Sequence, residues 1–399
     1  MNKQQEPRLR FKGFTGAWED RILGKVSDVR DGTHDSPIYQ NQGIPLVTSK
    51  NLTENGLDFS NVSLISQEDY EEINKRSKVE SGDILLGLIG TIGKPVLVKA
   101  GGYAIKNVGL IKELLEVKNE FLLPLLQSNI FETYVSRKNT GNTQKFLALD
   151  GLRSFEFLAP SLPEQTHLGL FFRRLDSQIA ESRAVLEKSR QLKKAMLAKM
   201  FPANGEKIPQ IRFKGFEGEW EEKGFESVGE FNPKTEIPQI FQYVDLESVV
   251  GTQLISYREE FKETAPSRAQ RLAKNGDLFF QAVRPYQKNN YLFEKNNENF
   301  VFSTGYIQIR PQNDGYFLLT LVQKEEFVQE VLLRCTGTSY PAINASSLQD
   351  IAILIPQTAE EQSTIGNFFR QLDETIALQS AEVEKLNQLK KGLLAAMLV

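Results

Sequence analysis

EQTHLGLFFRRLDSQIAESRAVLEKSRQLKKAMLAKM, residues 164–200, returns as EQSTIGNFFRQLDETIALQSAEVEKLNQLKKGLLAAM, residues 361–397. Phe171, Phe172, Leu175, Asp176 and Ile179 match Phe368, Phe369, Leu372, Asp373 and Ile376, and Gln191–Lys194 match Gln388–Lys391. In the second copy Leu372, Ile376, Val383, Leu386, Leu389 and Leu393 fall three, four or seven residues apart, one stripe of a helix, with Gln379 as a polar step in it. Leu175, Ile179, Leu186, Leu192 and Met196 make the same stripe in the first copy, with Ser182 at the equivalent step. Each copy, Pro163–Met200 and Glu360–Met397, predicts a helix about 55 Å long. A stripe of that length demands a partner, and the other copy supplies one.

Outward from the helices the duplication continues. PRLRFKGFTGAWED at 7–20 is matched by PQIRFKGFEGEWEE at 209–222, with Trp18 and Trp220 expected as buried anchors. SGDILL at 81–86 parallels NGDLFF at 275–280, and a helix predicted over 121–142, ending near Gly141, parallels Gly315–Val331. NTGNTQKFLALDGLRSFEFLAP at 139–160, whose part LALDGLRSFEFLAP is read as returning in a strand, parallels CTGTSYPAINASSLQDIAILIP at 335–356. PANGEKI at 202–208 has the composition of a linker. The expected organisation is a mixed α+β tandem repeat: a globular domain with its RFKGF lead-in at 1–158, a long helix at 159–204, linker, lead-in and second globular domain at 205–355, and a second long helix at 356–399. VTSKNLTENG in the first half and VRPYQKNN in the second lack counterparts, as expected where one scaffold carries two sets of contacts.

Composition is that of a globular protein, 40% hydrophobic and 25% charged. A net charge of −3 excludes binding by bulk positive charge, so a nucleic-acid role requires basic residues gathered on one surface. The single Cys335 fits a reducing compartment, and with only His34 and His167 beside it no Cys/His zinc site is available. No apolar run is long enough to span a bilayer and MNKQQEPRLR has no signal-peptide core, so a cytoplasmic place without membrane contact is expected. GTIGKP at 90–95 fails the phosphate-loop spacing and reads as a β-turn, with Lys94 kept only as a candidate contact. No set of catalytic residues stands out, and the chain reads as one without its own active site.

The repeated plan, the GD turns, the TG segments and the EQ…FF…LD helices resemble the specificity subunit of type I restriction–modification systems, over essentially the whole chain. The resemblance implies two target-recognition domains held by an antiparallel pair of long helices, each reading one half of a gapped site in double-stranded DNA. It implies methyltransferase (M) and restriction (R) subunits as partners, with S-adenosylmethionine, ATP and magnesium bound there and none on this chain, which is then no enzyme. The helices would act as a ruler between the readers, because a reader displaced along the duplex also rotates around it.

Candidate DNA contacts in the first half are Thr48, Ser49, Lys50 and Asn51 after a strand, Lys94, and Arg137, Lys138, Asn142 and Gln144 after a helix end. In the second half they are Arg284, Tyr286, Lys288 and Asn289, with Thr338, Ser339 and Tyr340 after the Thr336–Gly337 turn. Asn and Gln match adenine; Arg and Lys match guanine or phosphate. The plain alternative for any one of them is a solvated loop side chain. Arg173, Arg174, Lys193 and Lys194 on the first helix are either phosphate contacts or a solvated or partner-facing helix side. Two other functions fit less of the sequence: a coiled-coil adaptor that binds no DNA, and a nuclease built from scattered carboxylates.

Overall fold

The computed structural model describes residues 6–54, 56–138, 146–203, 205–296 and 299–399. The backbone divides into two units, one of residues up to 184 with 380–399, the other of residues 185–379. The long helices run Leu162–Lys199 and Ala359–Met397, so each unit holds part of both.

In the first unit Glu19–Ile22 pairs antiparallel with Glu156–Ala159. A four-stranded antiparallel sheet follows in the order 27–31, 108–113, 84–87, 93–97. Ile84–Gly87 is buried throughout, which is why ILLG reads as an unbroken apolar run rather than an alternating one. A second sheet sets Ile44–Val47 between Ser63–Ile65 and, in parallel, Ala104–Ile105. Beside it lies helix Gln67–Ser77, capped by Ser66 Oγ accepting from Asp69 N at 3.0 Å. Trp18, 2% exposed, meets Phe121 edge-on in the core, and Leu394, Met397 and Leu398 from the end of the second long helix join it.

The second unit repeats this plan. Glu221–Gly224 pairs with Ala352–Ile355, and the first sheet runs 229–231, 306–311, 278–281, 291–292. The second sheet again contains one parallel pair, Ile240–Val244 with Phe300–Ser303, flanked by 258–261 and by an added strand, 269–272, with no equivalent among the described strands of the first unit. Trp220 packs on Phe201 and Phe317. Both GD turns are tied alike: Asp83 Oδ2 accepts from Glu80 N and Asp277 Oδ2 from Lys274 N, each at 2.8 Å. Lys112 in one unit and Arg310 in the other then pair with that aspartate.

Three sequence expectations need correction. The stretch read as one helix over 121–142 is two, Asn119–Leu126 and Asn129–Lys138, and the later one likewise splits into Gly315–Val322 and Glu325–Leu333. A short helix, Leu149–Arg153, precedes the strand expected over the LALDGLRSFEFLAP stretch. On the long helices Leu192 and Leu389 do not face inward: they are 46% and 51% exposed. The inward positions step by four and three alternately, through Leu175, Ile179, Ser182, Leu186 and Ser189 to Lys193, and through Leu372, Ile376, Gln379, Val383 and Leu386 to Lys390. That 3.5-residue period carries the seam one position past each leucine.

Both units pair the helices antiparallel. In the first, Lys390 meets Asp176 at 2.6 Å and Arg183 meets Asn387 at 3.2 Å. In the second, Lys193 meets Asp373 at 2.5 Å and Phe201 packs against Phe369. Each lead-in is clamped to the start of a long helix by a buried bidentate ion pair. Arg10 Nε and Nη2 donate to Glu164 at 2.7 and 2.8 Å, and Arg212 donates to Glu361 at the same distances. Gly169 and Gly366 bring the long helices close to the neighbouring elements: a Cβ at Gly169 would lie 2.8 Å from the Glu120 backbone, and one at Gly366 2.1 Å from Asp314 Oδ1.

Candidate nucleic-acid interface

In the second unit, strand Leu278–Gln281 leaves the core through Ala282 and Val283 and enters a turn whose ends, Arg284 and Lys288, are both left-handed (φ 55°). The turn is fastened from inside. Gln281 N donates to the buried Asn290 Oδ1 at 2.8 Å, and Gln281 Nε2 to Gln287 Oε1 at 2.9 Å. A second segment folds onto it: Thr336 and Ala342 exchange backbone hydrogen bonds, Val283 bridges Ala342, Arg284 N donates to Pro341 O at 2.8 Å, and Ile343 N donates to Ala282 O at 3.0 Å. This brings the two candidate clusters of the second half into one place. The Arg284 guanidinium lies over the Tyr340 ring, 4.3 Å from its centroid. Tyr286 and Tyr340 are 49% and 63% exposed, and Thr338 and Ser339 form the exposed tip.

The same unit engages two of its candidates internally. Lys288 Nζ donates to Glu325 Oε2 at 2.8 Å and to Gln323 O at 3.1 Å, and this cation holds the Glu325 carboxyl below its ordinary range. Asn289 Oδ1 accepts from Gly251 N at 2.8 Å. Below the turn, burial lowers the Lys324 ammonium from its usual value; it sits over the Phe201 ring.

The first unit carries the same frame with other side chains. Leu147 N donates to Leu88 O at 2.9 Å and Ile89 bridges Phe146, as Ile343, Ala282, Val283 and Ala342 do in the second. The turn between them holds Gly90, Gly93 and Lys94 at φ 76°, 85° and 51°, and Lys94 is exposed. Arg137 and Lys138 end the helix Asn129–Lys138, exposed, with Lys138 Nζ 5.9 Å from the Tyr134 ring. Asn142 and Gln144 lie outside the described residues.

The remaining cluster of the first unit forms a separate corner. Asn51 is buried: its Oδ1 accepts from Thr48 N and Oγ1, and its Nδ2 donates to Asp58 O and Asn61 O. Ser49 is also buried, with Oγ donating to Asn107 O at 3.3 Å, whereas Lys50 is exposed. Parallel pairing of 44–47 with 104–105 delivers residues that sequence reasoning did not gather here. His34 lies 2.8 Å from both Asp31 Oδ2 and Asn107 Oδ1, Asp31 also pairs with Arg76, and Lys106 Nζ donates to Ser36 Oγ at 2.5 Å. These segments are far apart in the chain, and no local pattern marks their meeting.

On the first long helix Lys193 lies in the seam with Asp373, and Arg173 pairs with Glu120 at 2.8 Å. Among the described residues no group of three or more His, Cys, Asp or Glu could hold a metal ion, and no helix is long and apolar enough to cross a membrane. What the loop pairs offer is cations, amides, hydroxyls and aromatic faces at exposed turns on a hydrogen-bonded frame, the groups that meet base edges and phosphates.

The family model described as the type I restriction modification DNA specificity domain matches residues 16–188 and 270–388. Over 141 residues the chain is 28% identical to the specificity subunit of the type I restriction enzyme HindI of Haemophilus influenzae, a match covering 34% of this chain and 30% of that protein. Over 367 residues it is 23% identical to the MjaVIII specificity subunit of Methanocaldococcus jannaschii, covering 82% of this chain and 80% of the relative. The solved type I restriction–modification S subunit from M. genitalium shares the fold, with a TM-score of 0.68 at 14% identity over 99% of both chains.

Proposed function

This chain belongs to the type I restriction modification DNA specificity family, and from that premise we propose that it is the DNA-reading subunit of a type I restriction–modification complex. It recognises a double-stranded site in two parts separated by a gap. The reading is carried by the duplicated loop pair. The bridges Ile89–Phe146 and Val283–Ala342 build one frame twice, and the side chains displayed on the two frames differ. A homodimeric reader would present the same residues twice and favour a palindrome; two unlike frames favour a site whose halves differ.

The proposed division is reader 1–158, helix 159–204, reader with its linker and lead-in 205–355, and helix 356–399. Both long helices run from one unit into the other, so their length sets the gap. Methyltransferase and restriction subunits dock on this chain and carry the chemistry, adenine methylation and cleavage, together with S-adenosylmethionine, ATP and magnesium. The chain itself contributes specificity without catalysis, in the cytoplasm where the cell's DNA is exposed. Arg284, Tyr286, Thr338, Ser339 and Tyr340 are the proposed contacts of the second reader. Lys50, Lys94, Arg137, Lys138, Asn142 and Gln144 are those of the first. Thr48, Ser49, Asn51, Lys288 and Asn289 shape the loops that present them.

The test is a map of methylated adenines in DNA treated with the full chain assembled with its methyltransferase subunits. A gapped, two-part, non-palindromic motif is expected; an ungapped motif, or none, overturns the reading. Duplex affinity of the assembled complex should also fall steeply with salt, by about 0.9 log units per log unit of salt for each phosphate neutralised.

A further inference from the structure

We infer that Arg284 reads a guanine in the half-site contacted by the second unit, and that Tyr340 is the positioning residue that holds it ready. This deepens the function just proposed and rests on it.

The first observation is a contrast between equivalent positions. Ile89 and Val283 each bridge the returning segment, to Phe146 and Ala342 respectively, so the residues that follow them, Gly90 and Arg284, occupy the same place in the two turns. Both are left-handed, at φ 76° and φ 55°. Glycine takes that conformation freely, whereas an L side chain takes it only when something else requires the residue there. The turn does not require an arginine for its hydrogen bonds: Arg284 contributes its backbone N–H to Pro341 O and its carbonyl to Gln287 N. A residue held in a costly conformation whose side chain makes none of the turn's hydrogen bonds points to function.

The second observation is what the side chain does. Among the described residues its guanidinium makes no ion pair; it stacks at 4.3 Å on Tyr340, a ring that is itself 63% exposed. Stacking occupies the flat face and leaves the N–H donors around the edge of the plane. Guanine presents O6 and N7 side by side in the major groove, and a guanidinium edge matches that pair with two hydrogen bonds. A cation that merely neutralises phosphate needs neither fixed plane nor fixed rotamer.

The experiment assembles the full chain with its methyltransferase subunits and selects bound duplexes from a random pool for wild type, Arg284→Gly, Arg284→Lys, Tyr340→Ala and Tyr340→Phe. Wild type should return a motif with a guanine that Arg284→Gly and Arg284→Lys no longer select, discrimination at that position falling by about tenfold to a hundredfold while the other half-site is unchanged. Tyr340→Ala should weaken the same position, Tyr340→Phe should preserve it, and none of the four variants should melt earlier than wild type. An unchanged motif in Arg284→Gly overturns the inference. So does a uniform loss of affinity across all sequences, which would make Arg284 a phosphate contact. A Tyr340→Ala variant that melts earlier yet keeps the guanine removes Tyr340 from the assignment. Failure of wild type to select any motif overturns the DNA-reading function itself, a result distinct from the others.

Discussion

The turn at 88–94 and the turn at 282–290 share a backbone frame and almost nothing else. Each leaves the strand that follows a GD turn, each bridges a segment nearly sixty residues further on, and each passes through left-handed residues. One turn carries Gly90, Gly93 and an exposed lysine; the other carries Arg284 stacked on Tyr340 and a lysine locked to Glu325. Duplication kept what the main chain and core need and released what the side chains display. The deeper parts show the reverse: the Arg–Glu clamps and the Lys–Asp pairs of the helices repeat with the same partner atoms, and each tryptophan packs edge-on in its core.

That contrast is open to measurement, because each unit holds one of the two tryptophans and Trp→Phe variants let fluorescence report on the units separately. The largest effect is expected at the clamps. Glu164→Ala and Glu361→Ala each leave a mostly buried guanidinium unpaired, at a cost of about 3–5 kcal/mol in the unit affected. Glu361 also accepts from Trp220 Nε1 at 3.4 Å, so its loss should stand at the upper end. Urea unfolding that leaves either variant as stable as wild type would break the equivalence of the two clamps.

A smaller loss, about 1–3 kcal/mol, is expected at the close approaches. Gly169→Ala meets the Glu120 main chain, and Gly366→Ala meets both the Phe317 main-chain N at 2.9 Å and the Asp314 carboxylate, which can move only at the expense of the cap it gives Phe317 N, so a rotamer relieves neither. The two variants should therefore lose similar stability, and a large difference between them in thermal melts would show that the helices adjust differently in the two units. The smallest effect belongs to the seam. Double-mutant cycles on Lys193–Asp373 and Asp176–Lys390, both partly exposed, should each give about 0.5–1 kcal/mol. A large difference between them would mean that the helix pair is less symmetric than its sequence.

Much of the scaffold was legible from the chain alone because it is written twice. The helix limits fell within about two residues of Leu162–Lys199 and Ala359–Met397, inside the usual uncertainty of helix ends. The seam register was misjudged for a physical reason. Counting apolar residues selects Leu192 and Leu389, but the supercoil period places the following lysines inward, where a long aliphatic stem covers the seam and an aspartate on the facing helix takes the charge. The helix breaks at Gln127–Ser128 and Gln323–Lys324 were missed because neither carries glycine or proline. At the candidate interface the polar clusters of the second half could be named from composition, but not that Val283 and Ala342 would fasten two of them together. In the first half the same reasoning grouped Asn51 with Lys50, although burial commits one to the fold and leaves the other outside.

The lead-ins are stitched to helix ends in a way that decouples the order of synthesis from the order of completion. Ile211 N donates to Lys199 O within the second unit, and Leu9 N donates to Ala396 O within the first. Leu394, Met397 and Leu398 close the core around Trp18. On the ribosome, which delivers the N-terminal end first, the domain begun earliest is therefore finished last: it waits, with an apolar socket open, until the final residues of the second helix emerge, while the later-born domain already holds every segment it needs.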